Sequence, residues 1–393
     1  MDRIGIYGGT FNPPHTGHIR GAQYVRQQLG LTKLLLIPSC LPPHKELEEG
    51  AADPQQRLEM LRLCATDPGL EVCDLEISRG GKSYTVDTVL QLRKMYPNTE
   101  LVLCMGSDMF AIFHQWKDYT TLLKIASIAV LYRGEKEEKE IVAKEKQMLE
   151  KEGATVYILQ NPVVNISSTN LRRMLAFQCA EPFLDPAVKE YICANNLYGG
   201  AEDYRNLPMD ELERVVVGLL KPNRVRHVLG CRDTAAELAR RWGADETDAA
   251  RAGLLHDITK ALDGPLQLTL CSQYGIMLDE FSHNNPKTLH ALTGSLVAQR
   301  IFGENQTVVD AIASHTTGKG NMNTLEKIIY VADYMEPNRD FPGVEELRRL
   351  AYTDLDKALK LGLEMTLKML KEQGRQISPG SCEALAWLQE MGI

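Results

Sequence analysis

One turn limits what this chain can fold into more than any other feature: Gly8-Gly9-Thr10-Phe11-Asn12-Pro13-Pro14-His15-Thr16-Gly17-His18. The run before it, Arg3-Ile4-Gly5-Ile6-Tyr7, reads as a strand, and residues 19–29 after it read as a helix. A strand that passes through glycines into a helix start makes an anion site. Glycine lets the backbone come close to a phosphate, and the unbonded N–H groups of the helix start point at it. His15 and His18, three residues apart at that helix start, add charge and donors. The stretch implies that a nucleotide phosphate is handled here.

The phosphate handling must be local. The chain carries a net charge of −8, which gives no broad pull toward nucleic acid or an anionic membrane. Its 393 residues allow two domains of ordinary size, and 44% hydrophobic with 24% charged residues is the balance of a soluble globular protein. Nine cysteines are scattered with no Cys-x-x-Cys among them, so a reducing cytoplasm and no disulfide framework are expected. The start of the chain lacks a basic region followed by a hydrophobic core, so no signal peptide is expected. No apolar run approaches the roughly 18 residues that span a bilayer.

Strand-like and helix-like segments alternate in the first half. Strands are expected at 3–7, 33–38, 70–77, 100–105, 127–132 and 155–159, and helices at 16–29, 54–66, 84–96, 119–125 and 135–152. Such alternation implies a parallel sheet with helices on both faces, with ligands beyond the carboxyl ends of the strands. The mixed Lys and Glu of 136–151 read as a solvated helix face. After Tyr198 the pattern changes. Gly199-Gly200-Ala201-Glu202-Asp203 is small and polar, and from Met209 helical periodicity dominates. The expected organisation is an α/β Rossmann-like domain at 1–198, a linker at 199–208 and an all-α domain at 209–393.

Several separated motifs carry a resemblance over residues 1–198. Besides the opening turn these are Pro42-Pro43-His44-Lys45, Ser83-Tyr84-Thr85-Val86-Asp87-Thr88, Gly106-Ser107-Asp108, Trp116 and Ile166-Ser167-Ser168-Thr169-Asn170-Leu171-Arg172. In this order they resemble the bacterial nicotinate-nucleotide adenylyltransferases of the HxGH nucleotidylyltransferase superfamily. The resemblance implies transfer of adenylyl from ATP to nicotinate mononucleotide, with magnesium arriving on ATP. His15 and His18 would donate to phosphate oxygens in the transition state, with Arg172 beside them. Gly8, Gly9, Thr10, Phe11, Gly106, Ser168 and Thr169 would hold ATP and its phosphates, His44 and Lys45 would close over them, and Asp108 would take the ribose. Ser83, Thr85 and Trp116 would surround the nicotinate nucleotide. Other readings stay open: zinc on the histidine pair, which has no third ligand nearby, and a plain N-cap at Ser168 or Thr169. His114 reads as structural.

A second constellation follows. His256-Asp257 ends the apolar run Ala252-Gly253-Leu254-Leu255, a costly place for a charged pair without partners. His227, His290, His315 and Asp333 are candidate partners, each on a different expected helix or helix end. Four histidines and two aspartates suffice for two bridged ions that would activate water and clamp a phosphate. With Arg224-Val225-Arg226-His227, His290-Ala291-Leu292-Thr293-Gly294, His315-Thr316-Thr317-Gly318 and Ala332-Asp333-Tyr334-Met335-Glu336-Pro337-Asn338-Arg339, the set resembles the HD superfamily, and more narrowly its symmetrical diadenosine-tetraphosphate hydrolases. That resemblance implies one ion on His227, His256, Asp257 and Asp333, and a second on His290, His315 and the bridging Asp257. Two divalent transition metals are expected, iron before manganese or cobalt. Lys260 would reach a substrate phosphate or place water. His283, Thr317, Lys319 and Arg339 are weaker candidates for substrate contact.

Together these readings imply a bifunctional cytoplasmic enzyme whose partners are ATP, nicotinate mononucleotide and diadenosine tetraphosphate, with no nucleic acid and no membrane. A homo-oligomer is compatible with the sequence. Three alternatives remain: another phosphohydrolase, a metal-binding regulatory module in the second half, or another adenylyltransferase, such as that for pantetheine phosphate, in the first.

Overall fold

The computed structural model describes residues 2–43, 47, 50–132 and 138–393. His44 and Lys45 lie outside the described residues, as does the start of the helix expected at 135–152. The chain divides into two compact units, Met1–Glu202 and Asp203–Ile393.

The first unit is built on six parallel strands: β1 (Arg3–Gly9), β2 (Lys33–Pro38), β3 (Leu70–Val72), β4 (Glu100–Gly106), β5 (Ser127–Leu131) and β6 (Val156–Leu159). Their order across the sheet is β3-β2-β1-β4-β5-β6. The order reverses between β1 and β4, where a doubly wound sheet opens a crevice at the carboxyl ends of its strands. Gly8-Gly9 and Gly106 sit at those two ends.

Burial on both faces explains the continuous apolar runs of the central strands. Ile4, Ile6, Leu35, Ile37, Leu101 and Leu103 share one core cluster with Val86, Val89 and Leu92 of the Thr85–Met95 helix. The alternate residues Leu34, Leu36, Val102 and Cys104 are just as buried and point to the other face.

Two segments depart from expectation. The strand expected at 70–77 stops at Val72 because β3 is an edge strand paired only through Leu34–Leu36. Leu75–Arg79 then forms a helical turn that ends at Gly80, where φ is 72°. Inside the stretch read as a linker, Tyr204 is buried and stacks on Phe302, and Asn206 donates its N–H to the Phe302 carbonyl. Apolar burial holds this segment to the second unit.

The second unit is helical. Asp245, Asp263, Asn305, Asn323 and Asp354 each cap a helix by accepting from a backbone N–H of its first turn. Its longest helix, Pro222–Trp242, packs against Glu246–Leu255 and Thr324–Met335. No helix among the described residues is long and apolar enough to cross a membrane. All nine cysteines are free.

Candidate active sites

In the first unit, β1 delivers Gly8 and Gly9 to the crevice and the Thr16–Gln28 helix starts directly beyond it. His15 is the N-cap residue of that helix, and its ring stacks on that of His18 with centroids 3.5 Å apart. The His15 N–H donates to Nδ1 of His18 at 3.2 Å. Nδ1 of His18 is therefore an acceptor, which leaves Nε2 as the protonated nitrogen and a donor.

Both rings line a cavity of about 510 Å³. Every described residue read from the sequence as an ATP or nicotinate-nucleotide contact reaches that cavity: Gly8, Gly9, Thr10, Phe11, Ser83, Thr85, Gly106, Asp108, Trp116, Ser168, Thr169 and Arg172. Ser168, Thr169 and Arg172 come from the Ser168–Ala176 helix. The N-cap of that helix is Ser167, whose Oγ accepts from the Asn170 N–H at 3.2 Å, so Ser168 and Thr169 are not its cap. Ser168 donates to the Pro13 carbonyl at 2.9 Å, and Arg172 to the Asn12 carbonyl at 2.8 Å. The second helix start is thereby tied to the glycine-rich turn. Trp116 packs on Phe113, and its Nε1 is buried without a hydrogen-bond partner.

Glu76, a buried acid of this cavity, has no motif around it in the sequence. Glu76 is 6% exposed and accepts from Thr88 Oγ1 at 2.6 Å. Burial pushes its carboxyl above the usual range, against the pull of Thr88, Ser83 and Arg79. Ser83, expected at the substrate, spends its Oγ accepting from the Cys40 N–H at 2.9 Å. His114 is exposed and faces the buried Glu145 at 2.9 Å. The described residues of this unit bring together no metal-holding group.

The second unit gathers its titratable residues around Asp257, which is 1% exposed. His227 lies inside the Pro222–Trp242 helix, His256 and His315 follow helices as C-cap residues, and His290 and Asp333 sit on two further helices. From the Asp257 carboxylate, His227 stands at 3.6 Å, His256 at 3.5 Å, His290 at 3.4 Å and His315 at 3.9 Å. Arg224 bonds Asp257 Oδ2, and Lys260 lies 3.6 Å from Oδ1.

Three of these imidazoles are aimed by their own backbone. Nδ1 of His256, His290 and His315 donates to the carbonyl three residues earlier, Gly253 at 2.7 Å, Lys287 at 2.9 Å and Ile312 at 2.7 Å. The lone pair is thus on Nε2, the nitrogen facing the aspartates. Nδ1 of His227 meets Glu336 Oε1 at 3.1 Å. Glu336 is 1% exposed, and Oε2 also accepts from Asn338. A Cβ on Gly230, one turn beyond His227, would collide with that carboxylate.

These atoms fit a divalent cation. His227 Nε2 lies 3.1 Å from Asp333 Oδ1 and 3.2 Å from His256 Nε2, a crowd of acceptors that a cation reconciles. Asp257 Oδ1 is buried with no hydrogen bond. Burial holds His256 and His290 well below the ordinary imidazole range and His315 down to about 4, so the rings are neutral ligands near pH 7. Burial works against ionisation of Asp333, but the His227 imidazole facing it and the Arg339 guanidinium bonded to it hold its carboxyl well below the usual range.

Two compact ligand groups result, His227 with His256 and Asp333, and His256 with Asp257 and His315. His290 stands beside them, with Lys260 Nζ 2.7 Å and Thr316 Oγ1 3.1 Å from its Nε2. Arg339 donates to Asp333 Oδ1 at 2.7 Å. Thr317 turns its hydroxyl to the Gly318 carbonyl, Lys319 pairs with Glu326, and His283 is exposed. Arg224, Thr316 and Glu336 were missed as individual residues, although all three stand in the motifs quoted above.

Residues 6–174 match the cytidylyltransferase-like family and residues 224–338 match the HD domain. The chain is 36% identical over 211 residues to a probable nicotinate-nucleotide adenylyltransferase of Shewanella sp. (strain ANA-3), covering 50% of this chain and 99% of that relative. It is 38% identical over 170 residues to the symmetrical bis(5'-nucleosyl)-tetraphosphatase of Bacillus subtilis (strain 168), covering 43% of this chain and 91% of that one. A crystal structure described as a predicted HD superfamily hydrolase involved in NAD metabolism, from Clostridium acetobutylicum, aligns with a TM-score of 0.46 at 38% identity, over 47% of this chain and 98% of that one.

Proposed function

The chain belongs to the cytidylyltransferase-like family through its first unit, alongside nicotinate-nucleotide adenylyltransferases, and to the HD domain family through its second. On that premise we propose that the first unit transfers adenylyl from ATP to nicotinate mononucleotide and that the second hydrolyses diadenosine tetraphosphate to two ADP.

In the first reaction a phosphate oxygen of nicotinate mononucleotide attacks the α-phosphorus of ATP, and pyrophosphate leaves in line. The protein's work is placement and charge. His18 donates through Nε2 to an α-phosphate oxygen as negative charge develops there, and His15, stacked on it, supports the same oxygens. Arg172 and the helix start at Ser168 and Thr169 receive the departing pyrophosphate. Asp108 takes the ribose, and Trp116 with Thr85 encloses the pyridine. Magnesium enters on ATP. The observation that carries this reading is the convergence of two helix starts and the histidine pair on one cavity. Incubating the full chain with ATP and nicotinate mononucleotide should release pyrophosphate and dinucleotide in equal amounts. No dinucleotide under these conditions refutes the reading.

In the second reaction His227, His256, Asp257, Asp333 and His315 would hold two divalent ions, with His290 completing the set; imidazole with carboxylate suits iron, manganese or cobalt, and iron is favoured. When bound, such ions supply Lewis acidity and an activated water. The chain's own part is to aim the imidazoles and to bind polyphosphate. Arg224, Lys260 and Arg339 surround the aspartates and would take phosphate oxygens of a bridged dinucleotide. The carrying observation is Asp257, buried at the centre of four imidazoles. Metal analysis beside a substrate panel with ADP quantified tests it. ADP as the sole product from diadenosine tetraphosphate supports the reading. Turnover of other nucleotides only, or of none, overturns it.

A further inference from the structure

Arg57 is an unusual charge in the first unit. It lies on the Pro54–Cys64 helix and is 0% exposed. Its guanidinium donates to three carbonyls, from Nη1 to Thr10 at 2.7 Å, from Nη2 to Cys40 at 2.9 Å and from Nε to Ala52 at 3.3 Å. Among the described residues no carboxylate is paired with it. Burial lowers its pKa, yet a guanidinium keeps its proton inside proteins. Among the described residues Asp53 acts on it only through space, so the carbonyls carry most of the compensation for burying this charge.

Its first acceptor belongs to the glycine-rich turn. The Thr10–Phe11 peptide is trans, so fixing the Thr10 carbonyl toward Arg57 directs the Phe11 N–H to the opposite side. Phe11 lines the cavity, and Arg57 does not. Phe11 also holds φ at 50°, a left-handed conformation that a residue with a side chain resists and that its surroundings must enforce. The far end of the turn is held from elsewhere, by Arg172 and Ser168 on the Asn12 and Pro13 carbonyls and by the Tyr198 hydroxyl on Asn12 Oδ1 at 2.5 Å. Arg57 holds the near end. Through Cys40, whose N–H is bonded to Ser83, it also fixes the segment after β2.

We propose that Arg57 is a positioning residue for the polyphosphate of ATP: it fixes residues 8–12 in an anion-receiving shape through the Thr10 carbonyl and leaves positive charge behind that turn. The proposal rests on reading the cavity as the ATP site. Arg57 never touches substrate.

The test is titration of the full-length Arg57→Met and Arg57→Lys proteins with inorganic pyrophosphate and, separately, with nicotinate mononucleotide. All are made in an Asp257→Ala background, so that the second unit contributes equally throughout. Arg57→Met should weaken pyrophosphate binding about tenfold, because the Phe11 N–H is no longer held toward the anion and one hydrogen bond to a charged group is lost. Nicotinate mononucleotide binding should weaken by clearly less than pyrophosphate binding. Arg57→Lys keeps the charge but not the three-way fork, and should fall between Arg57→Met and the parent protein. Pyrophosphate binding within about twofold of the parent overturns the proposal, as does an equal loss for both ligands, which marks general unfolding of the cavity. If Arg57→Met does not fold, Arg57→Lys decides, and parent-like pyrophosphate binding in it overturns the proposal. A parent protein that binds pyrophosphate yet makes no dinucleotide would defeat the functional reading and leave this comparison intact.

Discussion

Glu336 stands 3.1 Å behind Nδ1 of His227, on the side away from the aspartates. The pairing joins residues 109 positions apart and places a buried carboxylate behind an imidazole that faces the metal-holding group. A carboxylate in that place fixes the tautomer and makes Nε2 a better donor to a cation. Glu336→Gln should therefore weaken metal binding by the full chain roughly tenfold to a hundredfold while its helix content is unchanged. Metal titration of chelator-stripped protein checks this, and an affinity equal to wild type would remove Glu336 from the site.

The two sites should fail separately. His18→Ala removes one donor aimed at the developing charge, so adenylyl transfer should drop by a factor on the order of 10² to 10³ with hydrolysis unaffected. Asp257→Ala removes the centre of the imidazole cluster and should abolish hydrolysis while transfer continues. Both assays on each purified variant settle the matter. A folded single variant that loses both activities contradicts two independent units.

Metal should stabilise one unit only. Ligand binding to the folded state adds about 2.7 kcal/mol when the free ion is at a hundred times its dissociation constant. Calorimetry of the full chain should show one melting transition falling on chelation and returning with added metal, the other unmoved. Two transitions that shift together, or none that shifts, would contradict the assignment of the cluster to a cation site.

Glu76 gives a pH dependence with a definite sign. Its folded pKa is raised, chiefly by burial. Between the unfolded value, near 4.3, and the higher folded value, the native state binds more protons than the unfolded one. Its contribution is fully present below the unfolded pKa and declines as pH rises through the folded pKa. Glu76→Gln keeps an oxygen for Thr88 and does not titrate. The melting temperature of Glu76→Gln relative to wild type should rise from pH 4 to pH 7. A difference that stays flat across that range would show that Glu76 titrates normally in the folded protein.

What the sequence made legible was local. The strand, glycine turn and helix at residues 3–29 could be read because their signals are contiguous, and the His256-Asp257 pair stood out because a charged pair interrupts an apolar run. The cap falls at Ser167 rather than at Ser168 or Thr169, since the three are equivalent as cap formers and only backbone angles separate them. β3 was drawn too long because Leu75 and Ile77 continue the apolar pattern through a helical turn. Arg57 and Glu336 were invisible for a different reason. Each looks like a surface charge in a helical or turn context, and its role lies in partners 47 and 109 positions away. Thr316 and Thr317 are adjacent and chemically alike, yet the Thr316 hydroxyl meets the His290 and His315 rings while that of Thr317 turns to the Gly318 carbonyl.

The bonds from His256, His290 and His315 to carbonyls three residues back have a kinetic corollary. Each ring is oriented by its own segment, within one turn of chain, so its aim does not wait for a distant element to dock. Ordering of these three nitrogens then belongs to folding and not to ion capture. A cluster arranged this way should take up its ions quickly from a pre-shaped cage, and after gentle stripping it should reload without the lag that accompanies refolding around a metal.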